Sequence, residues 1–319
     1  RSRSEPAHSG CASVMKGKVA YVVADLEGST GAWTKAHTLS GTPEWQEARL
    51  ELTKDVNVAV EALFEMGVKG VVVKDFHRTG YNLIPRYLDR RVKLVSGYYA
   101  GPAVGYGKLY GAHFALFVGL HASGGNEFGF LPHTLTSRIA EILVNGERVC
   151  EAELFATVLS AFQVPVCFFS GCPAACQEVA QKMEWVVTYP IAKQPEIYEN
   201  ERRRRSYIVQ KREGLREKIK KVLNPKAMPL FVMKAPFDCQ VIFREEAEAR
   251  RMNPWAFSQD GKIIRFRTEK FLELYQNLLK IAYFPKLAYQ MRSLVLPLSR
   301  IVWKIQSLRH LPLEPKQAV

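Results

Sequence analysis

The sequence predicts an α/β fold: a mostly parallel central sheet flanked by helices, with a smaller α+β lobe toward its C-terminal end. Three observations lead there. Short apolar runs rich in β-branched residues recur, at Val19 to Ala24, Gly70 to Lys74 and Phe114 to Leu120, and such unbroken runs read as buried strands. A helix-length amphipathic segment separates the first two, giving a β-α-β crossover that is right-handed by default. Beyond residue 229 the pattern changes to short strands, with a turn at Asp260-Gly261.

Residues 1–15 are expected to form a disordered leader. Arg1 to Val14 is polar, contains Pro and Gly, and lacks the apolar centre of a signal peptide; Met15 is a candidate start. An α/β core is expected over 16–195. Its first helix opens at Thr42-Pro43, because Thr caps well and Pro suits the first helical position, and it ends at Gly67. Trp45, Leu52, Val56, Val60 and Leu63 fall near one face of it. A strand near Val92 to Ser96 leads into a Gly- and Tyr-rich loop over 97–107. That loop has no phosphate-loop spacing, so it reads as a pocket wall. Asn145-Gly146 between apolar residues marks a hairpin. A helix from Glu151 to Phe162, a strand from Val164 to Ser170, a helix from Ala174 to Met183 and a strand from Trp185 to Thr188 complete the core.

From Glu196 to Val222 the chain becomes strongly basic, with four consecutive arginines at Arg202 to Arg205, while Leu215, Ile219 and Val222 keep one apolar face. This reads first as a solvated helix face and second as a polyanion contact. With the short strands of 229–267 and a helix from Glu269 to Phe284 it makes the smaller lobe of the same unit, 196–284. Residues 285–319 form a Leu-rich, basic amphipathic extension interrupted by Pro297. Such a segment suits a membrane surface or packing within an oligomer.

Composition sets the outer limits. The chain has 319 residues, 47% of them hydrophobic, and a net charge of +14. No apolar run reaches the roughly 18 residues needed to span a bilayer. Six cysteines lie mostly in apolar segments, where a thiol acts as a small hydrophobe, and the default location is the cytoplasm. Cys172 and Cys176 at the start of a helix could act in redox or metal chemistry, but no His accompanies them at zinc-finger spacing.

The chemistry concentrates at strand ends. Asp25 and Glu27 close the first run, and on an extended chain they point to one side. The second run leads into Asp75-Phe76-His77, the third into His121, a turn with His133 follows, and Glu151 opens an apolar helix. Ligands of open parallel sheets bind just past the carboxyl ends of strands. A lone His there is usually structural, and an acidic turn can simply cap the next segment. Five carboxylate and imidazole groups at equivalent strand ends fit a metal better. Nitrogen and oxygen donors without thiolate suit zinc, with manganese or cobalt as substitutes.

In these motifs the chain resembles the DppA-like D-aminopeptidase family of binuclear zinc peptidases. The motifs are Asp25-Leu26-Glu27-Gly28, Asp75-Phe76-His77, Gly119-Leu120-His121-Ala122, Pro132-His133-Thr134 and Cys150-Glu151. Departures lie at the flanks of His133, at Tyr98 and at Gly171-Cys172-Pro173, where the family typically carries smaller polar or acidic residues. The resemblance implies two zinc ions per chain bridged by Asp25, with Glu27 and His77 completing one site and His121 and Glu151 the other. It implies His133 as the catalytic residue, and Asp75 is expected behind the ligands as an acceptor for an imidazole N–H. Glu127 and Glu153 are further candidates for proton transfer. The implied activity is that of an aminopeptidase removing the N-terminal residue, a D-amino acid or glycine-like one, of short peptides through a metal-activated water. The implied assembly is a homo-oligomeric ring such as a decamer. The rival expectation is a non-catalytic binding protein on a peptidase scaffold, holding nucleic acid or an anionic membrane through its basic helix and tail.

Overall fold

The computed structural model describes residues 15–101, 103–222 and 228–309, so Arg1 to Val14 of the expected leader lie outside the described residues. The strands follow in chain order as β1 (Val19–Ala24), β2 (Gly70–Asp75), β3 (Val92–Val95), β4 (Phe114–Leu120), β5 (Ile139–Val144), β6 (Glu147–Arg148), β7 (Val166–Gly171) and β8 (Val187–Pro190). Six of them make one sheet in the order β3-β2-β1-β4-β7-β8, parallel throughout. β1 and β4 hold its centre. Their side chains are buried on both faces, which is why they read as continuous apolar runs rather than alternating ones.

Each face has its own core. On one face, Ala20, Val22 and Ala24 meet Trp45, Leu52, Val56 and Leu63 of helix α1 (Pro43–Glu65). The Thr42 hydroxyl caps α1 by accepting from the Trp45 amide at 3.1 Å, and Gly67, at φ +86°, follows its end. On the other face, Tyr21 and Val23 meet helix α2 (Glu151–Ser160), and helix α3 (Pro173–Lys182) packs beside it. Burying one such Leu or Val is worth about 1.5–3 kcal/mol. The sheet's position is therefore set by two apolar layers, and its carboxyl edge is left for polar residues.

After the short helix α4 (Pro195–Tyr198), the basic segment forms α5 (Glu201–Lys220), packed against α1. Its later cations pair with acids of α1: Arg212 with Glu51 and Asp55, Arg216 with Glu61 and Glu65, and Lys220 with Glu65. Of these, Asp55 is 1% exposed in its side chain, so its bonds to Arg212, at 2.9 Å, and to Thr30 form a buried network. Arg204 lies over the Trp33 ring at 4.8 Å. These contacts account for much of the basic segment as packing.

The smaller lobe contains β9 (Phe237–Phe243), helix α6 (Glu246–Met252), β10 (Ser258–Asp260), β11 (Ile263–Thr268) and helix α7 (Phe271–Tyr283). Here the structure adds to the sequence reading in two ways. Helix α6 interrupts the expected strands, and the β5–β6 hairpin leaves the parallel sheet to pair with β9, in the order β10-β11-β9-β5-β6. The hairpin turn at Asn145-Gly146 forms as expected, with both residues at positive φ. The extension forms α8 (Lys286–Gln290) and α9 (Arg292–Arg309). Pro297 does not interrupt α9. It is exposed, so the helix continues where only one backbone bond is lost.

Candidate metal centre

The carboxyl edge of the sheet gathers the expected residues. Asp25 and Glu27 leave β1, His77 follows β2, His121 follows β4, and Glu151 begins α2. Two glycines allow the approach. The Gly28 amide donates to the Gly119 carbonyl at 2.7 Å, and Gly119 sits at φ +81° with its Cα against the Asp25 carbonyl. A Cβ at Gly119 would strike that carbonyl, and one at Gly28 would strike the carbonyl of Leu120. The glycines of the Asp-Leu-Glu-Gly and Gly-Leu-His motifs are therefore needed to bring the acids of β1 beside His121.

One ligand atom each from Asp25, Glu27 and His121 lie within 4.8 Å of one another, and so do those of His121, His133 and Glu151. His77 Nδ1 is 2.9 Å from Glu27 Oε2 and 3.2 Å from Asp25 Oδ1. His121 Nε2 is 3.4 Å from Asp25 Oδ2 and 3.7 Å from Glu151 Oε2. Asp25 thus touches both halves of the cluster. The His133 ring stacks on His121, with centroids 3.8 Å apart. Asp25, Glu27, His77 and His121 are all buried, whereas His133 and Glu151 are half-buried, so the cluster is reached from their side.

Each imidazole is fixed from behind by a backbone carbonyl. His77 Nε2 lies 3.0 Å from the Thr38 oxygen, His121 Nδ1 3.0 Å from that of Ala122, and His133 Nδ1 2.9 Å from that of Leu131. A carbonyl can only accept, so these nitrogens carry the hydrogen, and in the neutral ring the other nitrogen offers a lone pair. For His77 and His121 that lone pair faces carboxylates, an acceptor set against acceptors. Either a proton or a cation resolves such an arrangement. With protons alone the charges are strained. Burial pushes the Asp25 carboxyl up to about 6, helped by Glu27. Burial also resists charge on His77, but Glu27 and Asp25 outweigh it and hold the ring's pKa well above the imidazole range. His121 is likewise raised to about 9, by Glu151 and Asp25 against burial. Burial raises the Glu151 carboxyl. Buried nitrogen and oxygen donors, anchored from behind and rich in negative charge, fit a divalent cation of the zinc class.

Asp75 plays a different part from the one expected. Among the described residues no imidazole donates to it; its oxygens take the Asn82 and Leu83 amides and the Asn82 side chain, at 2.5–2.9 Å. Asn82 in turn donates to the His77 carbonyl at 2.6 Å and accepts from Trp45. Asp75 therefore holds the segment around His77 rather than its ring, because Asn82 and Leu83 occupy its oxygens. Glu153 caps α2 by accepting from the Cys150 amide at 2.9 Å, and Glu127 is exposed. Cys172 and Cys176 are buried free thiols. Sequence reading did not foresee Thr38, Ala122 and Leu131, since a carbonyl acceptor carries no side-chain signal. It also missed Tyr283, whose hydroxyl donates to the Leu135 carbonyl while the Leu135 amide bonds Glu151 Oε1 at 2.7 Å. Tyr98, read as part of a wall and as a departure from the family's pattern, donates to the Phe76 carbonyl at 2.6 Å, beside His77.

Fold and cluster define a doubly wound α/β protein with a buried carboxylate–imidazole centre at the carboxyl edge of its parallel sheet. Residues 18–280 match the family described as D-aminopeptidase, and the chain belongs to that family of peptidases. A D-aminopeptidase of Bacillus subtilis (strain 168) is 27% identical over 168 residues, 53% of this chain and 61% of that protein, so the match spans less than two thirds of the relative. Among solved structures, the chain is similar in fold to the zinc-dependent D-aminopeptidase DppA of Bacillus subtilis, described as a self-compartmentalizing protease. The TM-score is 0.63 and the identity 24%, over 82% of this chain and 96% of that one.

Proposed function

We propose that the protein is a zinc-dependent aminopeptidase that removes the N-terminal residue, a D-amino acid or a glycine-like one, from short peptides. One observation carries the reading: two overlapping donor groups, the buried Asp25-Glu27-His121 and the half-buried His121-His133-Glu151, are built into one cluster. In this reading Asp25, Glu27, His77, His121 and Glu151 would hold two zinc ions, Asp25 being shared between Glu27 and His77 on one side and His121 and Glu151 on the other. Manganese or cobalt fits the same donors. Bound cations would polarise the scissile carbonyl and lower the pKa of a water toward about 7.

The chain's own groups do the remaining work. The half-buried edge at Glu151 and His133 is where a peptide enters, and the excess of carboxylate there favours an unblocked, positively charged amino terminus. His133 is the catalytic residue. Burial and the neighbouring His121 lower its pKa, which keeps the ring neutral near neutral pH. Its Nδ1–H is held by Leu131, so Nε2 can take a proton from the attacking water and return it to the leaving amine. The Phe76 and Tyr98 rings meet at 6.1 Å beside His77, and Asp75, through Asn82, keeps His77 in place. A homo-oligomeric ring, such as a decamer, would restrict entry to short peptides; the description of the solved relative as self-compartmentalizing supports it. The free thiols support a reducing compartment such as the cytoplasm.

A panel of tripeptides tests the reading. Peptides with D-Ala, Gly or L-Ala at the amino end should divide by kcat/KM in favour of the first two, and N-acetylation should abolish cleavage. Equal cleavage of blocked and free peptides, or none of either after zinc is supplied, would overturn it.

A further inference from the structure

The extension beyond the family match, which ends at residue 280, carries a surface that the peptidase reading does not use. Helix α9 has two unlike faces. Its inner face sits on the body: Leu296 and Ser307 are buried, Trp303 meets Tyr98 edge-on at 6.3 Å, and Arg49 donates to the Ser307 carbonyl at 3.0 Å. Its outer face is apolar and uncovered. Leu294, Leu298, Ile301, Ile305 and Leu308 are spaced by 4, 3, 4 and 3 residues, and each is 49–64% exposed. Met291 and Leu287 extend the same spacing back across the junction with α8, at 43% and 67% exposed. Alternation of 3 and 4 is a period of 3.5, the repeat of a seam that packs against another helix in a left-handed coil.

We propose that this seam binds the same seam of a second copy of the chain, forming a two-helix contact independent of the metal centre. Three features favour a second copy over a lipid surface. The 3.5-residue repeat matches itself. The positions flanking the seam are mostly neutral: Ala288, Gln290, Val295, Pro297 and Val302, with Lys304 and Arg309 the exceptions. Two arginines of α9 are turned inward, Arg292 over Tyr289 at 4.5 Å and Arg300 over Tyr99 at 4.0 Å, which leaves Lys286 and Lys304 as the exposed cations among the described side chains of α8 and α9. Membrane-surface helices place such cations on their solvent rim. Scale also permits it. The seam from Leu287 to Leu308 runs about 32 Å at ~1.5 Å per residue. Seven large apolar side chains, each 43–67% exposed, line it, where a standard pairing buries about 800 Å² per copy. Because Trp303 of α9 meets Tyr98, whose hydroxyl donates to the Phe76 carbonyl beside His77, the contact would also hold that segment in place.

The test uses the full chain. Sedimentation should show that Leu298→Glu with Ile305→Glu lowers the assembly mass by half or more, with the melting temperature unchanged because both positions are exposed. In a Cys11→Ser background, Ile301→Cys should give a disulfide-linked dimer on mild oxidation. Ile301 meets itself in a parallel pair, and also in an antiparallel pair centred on the α9 part of the seam, Leu294 to Leu308, and the described native cysteines are buried. Unchanged mass together with no crosslink would overturn the proposal. So would variants that keep their mass but lose binding to phosphatidylserine-containing vesicles, a result that assigns the seam to membrane.

Discussion

Replacing Gly119 with alanine should damage the metal centre more than the fold, and a matched control separates the two effects. Gly119 and Gly146 both sit at φ +81°. Alanine pays the same backbone penalty at each, about 1–2 kcal/mol. At Gly146, in the β5–β6 turn, the new Cβ meets nothing within 4 Å. At Gly119 it meets the Asp25 carbonyl and lies 3.2 Å from the Ser29 amide. Relief requires β1 and β4 to part where Asp25 and His121 converge, adding about 1–3 kcal/mol of overpacking. Gly146→Ala should therefore lose about 1–2 kcal/mol, with metal content and activity unchanged. Gly119→Ala should lose about 2–5 kcal/mol, at about 2–4 °C of melting temperature per kcal/mol, and should also lose bound metal. Calorimetry with metal analysis on both variants decides it. Equal destabilisation with full metal content in each would refute the claim that Gly119 is fixed by the approach of Asp25.

Three further outcomes follow from the same geometry. His133→Ala should keep its metal and lose about 10²–10⁴-fold in kcat; loss of metal instead would make His133 a ligand beside His121 and Glu151. Arg212→Met leaves the buried Asp55 carboxylate unpaired and should cost about 3–5 kcal/mol in urea unfolding, whereas an unchanged midpoint would show the network to be idle. Burial lowers the Lys74 ammonium to about 7, against about 10.4 when unfolded. Between those values the unfolded chain binds more protons, so Lys74 destabilises the fold at neutral pH and the penalty fades as pH rises. Lys74→Met should thus be the more stable at pH 7, with its advantage shrinking by roughly 1.4 kcal/mol per pH unit up to about pH 10; an advantage constant with pH would contradict this.

Much of the fold and of the centre was legible because each rested on a local signal. β1, β2 and β4 are apolar runs, and a parallel sheet sends its functional residues to one edge, so Asp25, Glu27, His77 and His121 could be placed together. Thr42-Pro43 and Asn145-Gly146 fix their own backbone, and both behaved as read. What escaped was non-local. The β5–β6 hairpin announces its turn but not its partner, β9, nearly a hundred residues on. Asp75 has the spacing of a ligand's neighbour, yet Asn82 and Leu83 claim its oxygens, a competition visible only once the loop closes. In α5, Arg202, Arg203 and Arg205 stay exposed as the solvated face that was read first, whereas Arg212, Arg216 and Lys220 find acids on α1, Glu51, Asp55 and Glu65, that the local sequence does not show. Pro297 is a helix breaker by composition and harmless by position, since its side of α9 faces solvent.

The central claim is that Asp25, Glu27, His77, His121 and Glu151 form a two-metal centre that drives peptide hydrolysis. Metal analysis of the purified chain, paired with a free-amine D-alanyl peptide assay, tests it most directly. The account predicts about two zinc ions per chain, activity lost on chelation and restored by zinc, and loss of both ions in Asp25→Ala. A chain that binds no zinc, cobalt or manganese when each is supplied, and cleaves no peptide, would contradict it.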